Sequence, residues 1–172
     1  MKRSAIAAAV LALLALWPAV VYAQDDYGQR IPSRDGQWLL PVASRLLGST
    51  DDDHIGRGSI NSWDVSAAVG TPIFAAASGV VEAAGCYLYE GRKWPIMQGY
   101  GCAVSIKHGN GIVSQYGHMI DGSIRVKRGD QVTANTQLGQ VGRTGSTSWP
   151  HVHFTILRNG SPIRIDGLFD IR

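Results

Sequence analysis

The chain has 172 residues, 45% of them hydrophobic and 17% charged, with a formal net charge of +3. Two of those positive charges are Lys2 and Arg3, so the chain beyond them carries only +1. That excludes a nucleic-acid binder relying on a strong basic field.

Lys2 and Arg3 open a leader-like segment, in which Ala5 to Val21 is apolar apart from Pro18. Val21-Tyr22-Ala23 fits the small-x-Ala cleavage pattern and is followed by polar Gln24-Asp25-Asp26. The run is shorter than the roughly 20 residues of a membrane span. Residues 1–23 are therefore expected to be a signal peptide. The mature chain is then exported, periplasmic or extracellular, with no stable membrane span after cleavage. The 149 residues left of the 172 suit one ordinary domain.

Residues 24–37 are polar and aperiodic and read as a flexible lead-in, with the domain proper over 38–172. Trp38-Leu39-Leu40 is expected to form a short strand stopped by Pro41. Arg45 to Gly58 follows as a long loop carrying Asp51-Asp52-Asp53-His54. Beyond it, short β-rich runs are divided by Gly or Pro every few residues: Asp64-Val65-Ser66, Ile73-Phe74-Ala75 and Val80-Val81-Glu82-Ala83. This punctuation indicates an all-β domain of short antiparallel strands. No long amphipathic helix, fixed-period repeat or low-complexity tail follows from the mature sequence.

The two cysteines, Cys86 and Cys102, both lie in the exported part. In an oxidising compartment they predict one disulfide around an aromatic-rich surface loop, worth about 3 kcal/mol in the chain-entropy model. A metal-thiolate pair lacks the close Cys-x-x-Cys spacing. Next, Ala103–His108 and Ile112–His118 flank Gly109-Asn110-Gly111, a hairpin with a three-residue loop. Its register sets Val104 against Tyr116, Ile106 against Ser114 and Cys102 against His118. Ile124-Arg125-Val126, Gln131-Val132 and Leu138-Gly139-Gln140 read as further short strands. Asn159-Gly160 marks the last hairpin.

Chemistry concentrates in His54, Asp64, His108, His118, His151 and His153. Trp149-Pro150-His151-Val152-His153-Phe154 enters an apolar run. In a strand its two imidazoles face one side, because side chains alternate with period two. A catalytic zinc takes three N or O ligands and keeps one position for water, whose pKa it lowers towards ~7. A nearby imidazole can carry the proton. Each histidine taken alone is more often a surface or packed residue than a functional one.

At this point the chain resembles the lysostaphin/LytM-type zinc metallopeptidases. The similarity runs from Gly70-Thr71-Pro72-Ile73-Phe74-Ala75 through Tyr100-Gly101 and Val104-Ser105-Ile106-Lys107-His108-Gly109 to Tyr116-Gly117-His118. It continues over Val126-Lys127-Arg128-Gly129-Asp130 and Val141-Gly142-Arg143-Thr144-Gly145-Ser146-Thr147 to Pro150-His151-Val152-His153-Phe154. These segments stand in the family's order and spacing over roughly Trp38 to Pro162. The resemblance implies a compact two-sheet, barrel-sandwich β domain with long loops over a groove. It also implies a Zn2+ cofactor and hydrolysis of the peptide cross-links of bacterial peptidoglycan. By motif position Asp64 and His153 are zinc ligands, His118 and His151 handle the attacking water and the oxyanion, and His108 is structural.

One departure matters. The family's first ligand is commonly a histidine four residues before the aspartate, and here that residue is Ile60, which cannot bind a metal. The upstream candidate is His54, returned by a loop through Gly56, Arg57, Gly58 and Ser59, with Asp51-Asp52-Asp53 beside it favouring a cation. The expected metal set is thus His54, Asp64 and His153. The competing expectation is a degenerate module that binds cell wall, with Trp94 and Trp149 as contact aromatics, or activates a partner cell-wall hydrolase. A carrier-type β domain is set aside because no exposed hairpin tip carries the required lysine.

Overall fold

In a computed structural model, residues 29–56, 60–86, 88–89, 92–93 and 98–171 are described. The leader expected over 1–23, the start of the lead-in, Arg57 to Ser59 and Trp94 lie outside them. No helix among the described residues is long and apolar enough to cross a membrane.

The elements are β1 (Leu47–Ser49), α1 (Asp51–Gly56), β2 (Trp63–Ser66), β3 (Pro72–Phe74) and β4 (Gly79–Cys86). Two short strands follow, β5 (Leu88–Tyr89) and β6 (Arg92–Lys93), then a 3-10 turn over Gln98–Tyr100. The hairpin β7 (Cys102–Gly109) and β8 (Ile112–Met119) leads to β9 (Gln131–Val132) and β10 (Gln137–Gln140). β11 (His151–Arg158) and β12 (Ser161–Pro162) close the chain. The domain is all-β, and every strand pairing is antiparallel. The main sheet runs β1-β2-β11-β8-β7-β4-β9, with β12 beside β11. A ribbon of β10 and β3 lies against it and sends Ile73 and Leu138 into the same core as Val65, Val104, Tyr116 and Phe154.

Period-two alternation decides what this sheet presents on each side. Along β2, Trp63 and Val65 are buried in the core, which turns Asp64 to the other face. Along β11, Val152, Phe154 and Ile156 do the same for His151 and His153. Pairing sets His153 directly opposite Asp64. The apolar half of each strand thus fixes the polar half.

Several sequence expectations need correction. Residues 29–37, expected as flexible, are packed: Ile31 is in the core, and the Arg30 guanidinium donates to the carbonyls of Leu39, Leu40, Ala75 and Ala134. Trp38–Leu40 makes only a bridge from Leu39 to Pro32, and Ile124–Val126 forms no strand. The expected loop Arg45 to Gly58 contains β1 and α1. The β7–β8 connection is two residues, Asn110-Gly111, both with positive φ (48° and 72°), the type I′ geometry that suits strand twist. Val104 pairs with Tyr116 and Ile106 with Ser114 as expected, but Cys102 pairs with Met119. The disulfide is present between Cys86 and Cys102, which also pair across β4 and β7.

His108 is structural. Its Nδ1–H donates to Ser78 O (2.8 Å), so Nε2 accepts from Ser114 Oγ (2.7 Å). Ser114 Oγ then accepts from Tyr116 Oη (2.7 Å), which accepts the Ala76 N–H (2.8 Å). The chain of donors runs one way and leaves no buried group unpaired. Burial pushes the His108 pKa down from its ordinary value of 6.5, opposed by the Ser78 hydrogen bond. Between 6.5 and the lowered folded value the unfolded chain binds a proton that the folded chain does not. The stabilisation is therefore full above pH 6.5 and lost as pH falls through the folded value. Replacing His108 with Gln, which keeps one donor and one acceptor, is expected to shrink the stability difference between pH 7 and pH 5. Urea unfolding at the two pH values measures it, and an unchanged difference would remove His108 from the account.

Candidate metal centre

Four elements meet at one groove with a volume of about 340 Å3: α1 brings His54, β2 brings Asp64, β8 brings His118, and β11 brings His151 and His153. All five side chains are buried, between 3% and 9% exposed. The structure therefore brings together His54, Asp64, His118, His151 and His153, while His108 lies apart from them. Ile60, four residues before Asp64, is 37% exposed.

The ring nitrogens are oriented by backbone carbonyls. His54 Nδ1 donates to Thr50 O (2.8 Å), His118 Nδ1 to Thr144 O (2.7 Å) and His151 Nδ1 to Trp149 O (3.0 Å). In each neutral ring this leaves the Nε2 lone pair for the groove. Asp64 Oδ1 stands 3.3 Å from His54 Nε2, 3.2 Å from His151 Nε2 and 2.8 Å from His153 Nδ1. Lone pairs of two imidazoles aimed at one carboxylate oxygen repel unless protons or a cation lie between them. Burial alone would raise the Asp64 pKa, but the imidazoles of His151, His153 and His54 around its oxygen outweigh it and hold the carboxyl far below the ordinary range. It is an anion throughout the working pH range.

His54, Asp64 and His153 place their donor atoms within 4.8 Å of one another. Ligands of a tetrahedral zinc at ~2.0–2.1 Å stand about 3.3 Å apart. The His54–Asp64 separation already has that value, and the 2.8 Å His153–Asp64 hydrogen bond needs about half an ångström of opening. Two neutral nitrogens and one carboxylate are donors that zinc accepts, so the residues fit the ion.

His118 reaches this centre through a bulge. Between the Val104–Tyr116 and Cys102–Met119 pairs, β8 advances three residues while β7 advances two. Gly117 and His118 together oppose Ala103, and His118 adopts φ 62°. Such a bulge re-aims a side chain, here at the cost of a left-handed conformation in a non-glycine residue. Thr144 clasps it: its carbonyl takes the His118 Nδ1–H, while its Oγ1 donates to Met119 O (2.7 Å) and accepts the Cys102 N–H (2.9 Å). Burial pushes the His118 pKa down to about 4, against the raising effect of the Thr144 bond. The ring is neutral at pH 7.

Thr144 and Tyr100 carried no signal of their own in the sequence. The Tyr100 ring stands edge-on to His153 with centroids 4.5 Å apart, and its hydroxyl bonds Thr155 Oγ1 (2.8 Å). Gly117 makes room for it, because a Cβ there would lie 2.9 Å from Tyr100 Cδ1. Replacing Gly117 with Ala is expected to push Tyr100 off His153 and to cost about 1–3 kcal/mol by overpacking, read by urea unfolding. An unchanged midpoint would mean the turn shifts freely. Trp149 lines the groove and lies 5.0 Å from His151, ring to ring.

Residues 58–165 match the family described as Peptidase family M23. The chain is 34% identical over 129 residues to a lipoprotein NlpD/LppB homolog of Pseudomonas aeruginosa, covering 74% of this chain and 38% of that protein. It is 36% identical over 100 residues to the DD-carboxypeptidase/endopeptidase Mpg of Neisseria meningitidis, covering 58% and 20%. Among solved structures, a catalytic-domain mutant of the prophage-encoded M23 protein EnpA from Enterococcus faecalis aligns with TM-score 0.51 and 32% identity. That alignment covers 60% of this chain and 73% of the other. The chain spans less than two fifths of the length of these curated relatives.

Proposed function

The chain belongs to Peptidase family M23, and on that premise we propose that it is a zinc-dependent endopeptidase cleaving peptide cross-links of peptidoglycan. The observation that carries this reading is the convergence of His54, His151 and His153 nitrogens on the single buried oxygen Asp64 Oδ1. His54 Nε2, Asp64 Oδ1 and His153 Nδ1 would hold the metal. The wall substrate is supported by relatives such as Mpg, described as a DD-carboxypeptidase/endopeptidase. Export through a signal peptide at 1–23, and a domain over 38–172, belong to the same reading.

A bound zinc supplies Lewis acidity and lowers the pKa of water towards ~7. The rest falls to the chain. Neutral His118, held by Thr144, presents an Nε2 lone pair that accepts a proton from the attacking water. His151, held by Trp149 O, would place Nε2 beside the carbonyl oxygen and steady the oxyanion by donating a proton taken up at that nitrogen. The proton then passes to the amide nitrogen as the C–N bond breaks, giving a carboxylate and an amine. The buried walls and the Tyr100 ring keep His153 in register while this happens.

The test pairs metal analysis of the purified chain with digestion of peptidoglycan and identification of new amine termini. About one zinc per chain, with cleavage lost in chelator and restored by zinc, is expected. A folded chain that takes no zinc would overturn the reading. Wall binding or activation of a partner hydrolase unaffected by chelator would establish the regulatory module instead.

A further inference from the structure

We infer that Asp51 is the positioning residue of the centre: it locks α1 against the segment 164–166 and so holds His54 beside Asp64. The inference rests on the zinc reading above. α1 has six residues, and an isolated helix shorter than about 12–15 is marginal in water. The direction of His54 must therefore come from what grips the helix.

Each of the three aspartates, expected from sequence to attract a cation, is engaged elsewhere. Asp51 is fully buried, and its Oδ2 accepts the backbone N–H groups of Ile165 and Asp166, both at 2.7 Å. Asp52 pairs with Arg164 at 2.8 Å, with side chains 77% and 47% exposed. Asp53 Oδ2 accepts the Thr50 N–H (2.8 Å) and hydroxyl (3.1 Å), the reach-back of a helix cap.

Magnitudes rank these three. The Asp52 pair is solvent-exposed and screened, and the Asp53 bonds are those of an exposed helix cap. Removing Asp51 breaks two charge-assisted hydrogen bonds and strands one buried and one half-buried N–H, the largest loss of the three. The grip also closes on the centre itself. Asp166 Oδ1 accepts the Trp63 Nε1–H (2.8 Å), and Trp63 is the neighbour of Asp64 in β2. One segment thus fixes both the helix bearing His54 and the strand bearing Asp64.

Zinc affinity, read by competition with a chromophoric chelator on the metal-stripped full chain, tests this without recourse to activity. Replacing Asp51 with Ala is expected to weaken zinc binding about 10- to 100-fold, as outer partners of ligands do. Asp51→Asn, which keeps an acceptor, should recover most of it, and Asp52→Ala should stay within about twofold. In a His54→Ala background, Asp51→Ala should change the residual affinity no further, a non-additivity that general loss of stability would not produce. Wild-type affinity in Asp51→Ala, or equal weakening in both backgrounds, would overturn the inference. A wild-type chain that binds no zinc would overturn the zinc reading beneath it. If Asp51→Ala fails to fold, Asp51→Asn, with its weaker acceptor, replaces it and should weaken zinc binding measurably only where His54 is present; wild-type affinity, or equal weakening with and without His54, would overturn the inference.

Discussion

Replacing His54 with Ala is expected to lower zinc affinity on the order of 10^3-fold and to remove hydrolysis with it. Structural zinc sites are worth roughly 10–16 kcal/mol over three or four ligands, so one ligand carries about 3–5 kcal/mol. Ile60 cannot coordinate, and without His54 the expected set falls to Asp64 and His153, with His151 Nε2, 3.2 Å from Asp64 Oδ1, as the nearest other nitrogen among the described residues. His54 Nδ1 bonds the Thr50 carbonyl of its own helix turn, while its ring faces Asp64 of β2 and His153 of β11. Isothermal titration with zinc, beside a circular dichroism spectrum of the folded variant, separates lost affinity from lost fold. Wild-type affinity in this variant would show that the chain binds its metal without α1.

Replacing His118 with Ala is expected to leave zinc content intact and to lower kcat about 10^2- to 10^4-fold, the span of general acid–base contributions. His118 does not contact Asp64 Oδ1 in the way His54, His151 and His153 do. Its ring packs instead on His151, centroids 4.6 Å apart. The protonation state follows from burial: with the pKa near 4, the proton-accepting form persists as pH falls below 6.5 and is lost only through about 4. The His118-dependent limb of the rate profile should therefore lie on the acid side of an ordinary histidine. A limb centred near 6.5, or a variant that loses zinc together with activity, would contradict this assignment. His151→Ala should resemble His118→Ala in retaining metal while losing turnover.

The motif-bearing strands were largely legible from residue type and spacing. His151 and His153 share a face because Val152, Phe154 and Ile156 claim the other, and that alternation is visible in the sequence. His54 was reached by elimination, not by its helix. α1 looked like part of a loop because Asp51 and Asp52 find their partners in 164–166, more than a hundred residues away. The same distance misled the reading of those carboxylates as a cation lure. The bulge at Gly117-His118 was hidden for a different reason. An ideal register carries Cys102 to His118, and only the close approach of Tyr100 to Gly117 and the Thr144 clasp favour the extra residue. Residues 29–37 resembled a polar tail, yet a single arginine and a single isoleucine suffice to bind their start to the core.

On the proposed zinc reading, the first ligand comes from a helix turn gripped from 164–166 in place of a histidine at position 60. Anomalous diffraction at the zinc edge, on crystals of the zinc-loaded chain, tests that substitution most directly. The expected result is one peak about 2.0–2.1 Å from His54 Nε2 and His153 Nδ1, and about 2.0–2.2 Å from Asp64 Oδ1. A peak held by His118, His151 and His153 with His54 turned away, or no peak at all, would contradict it.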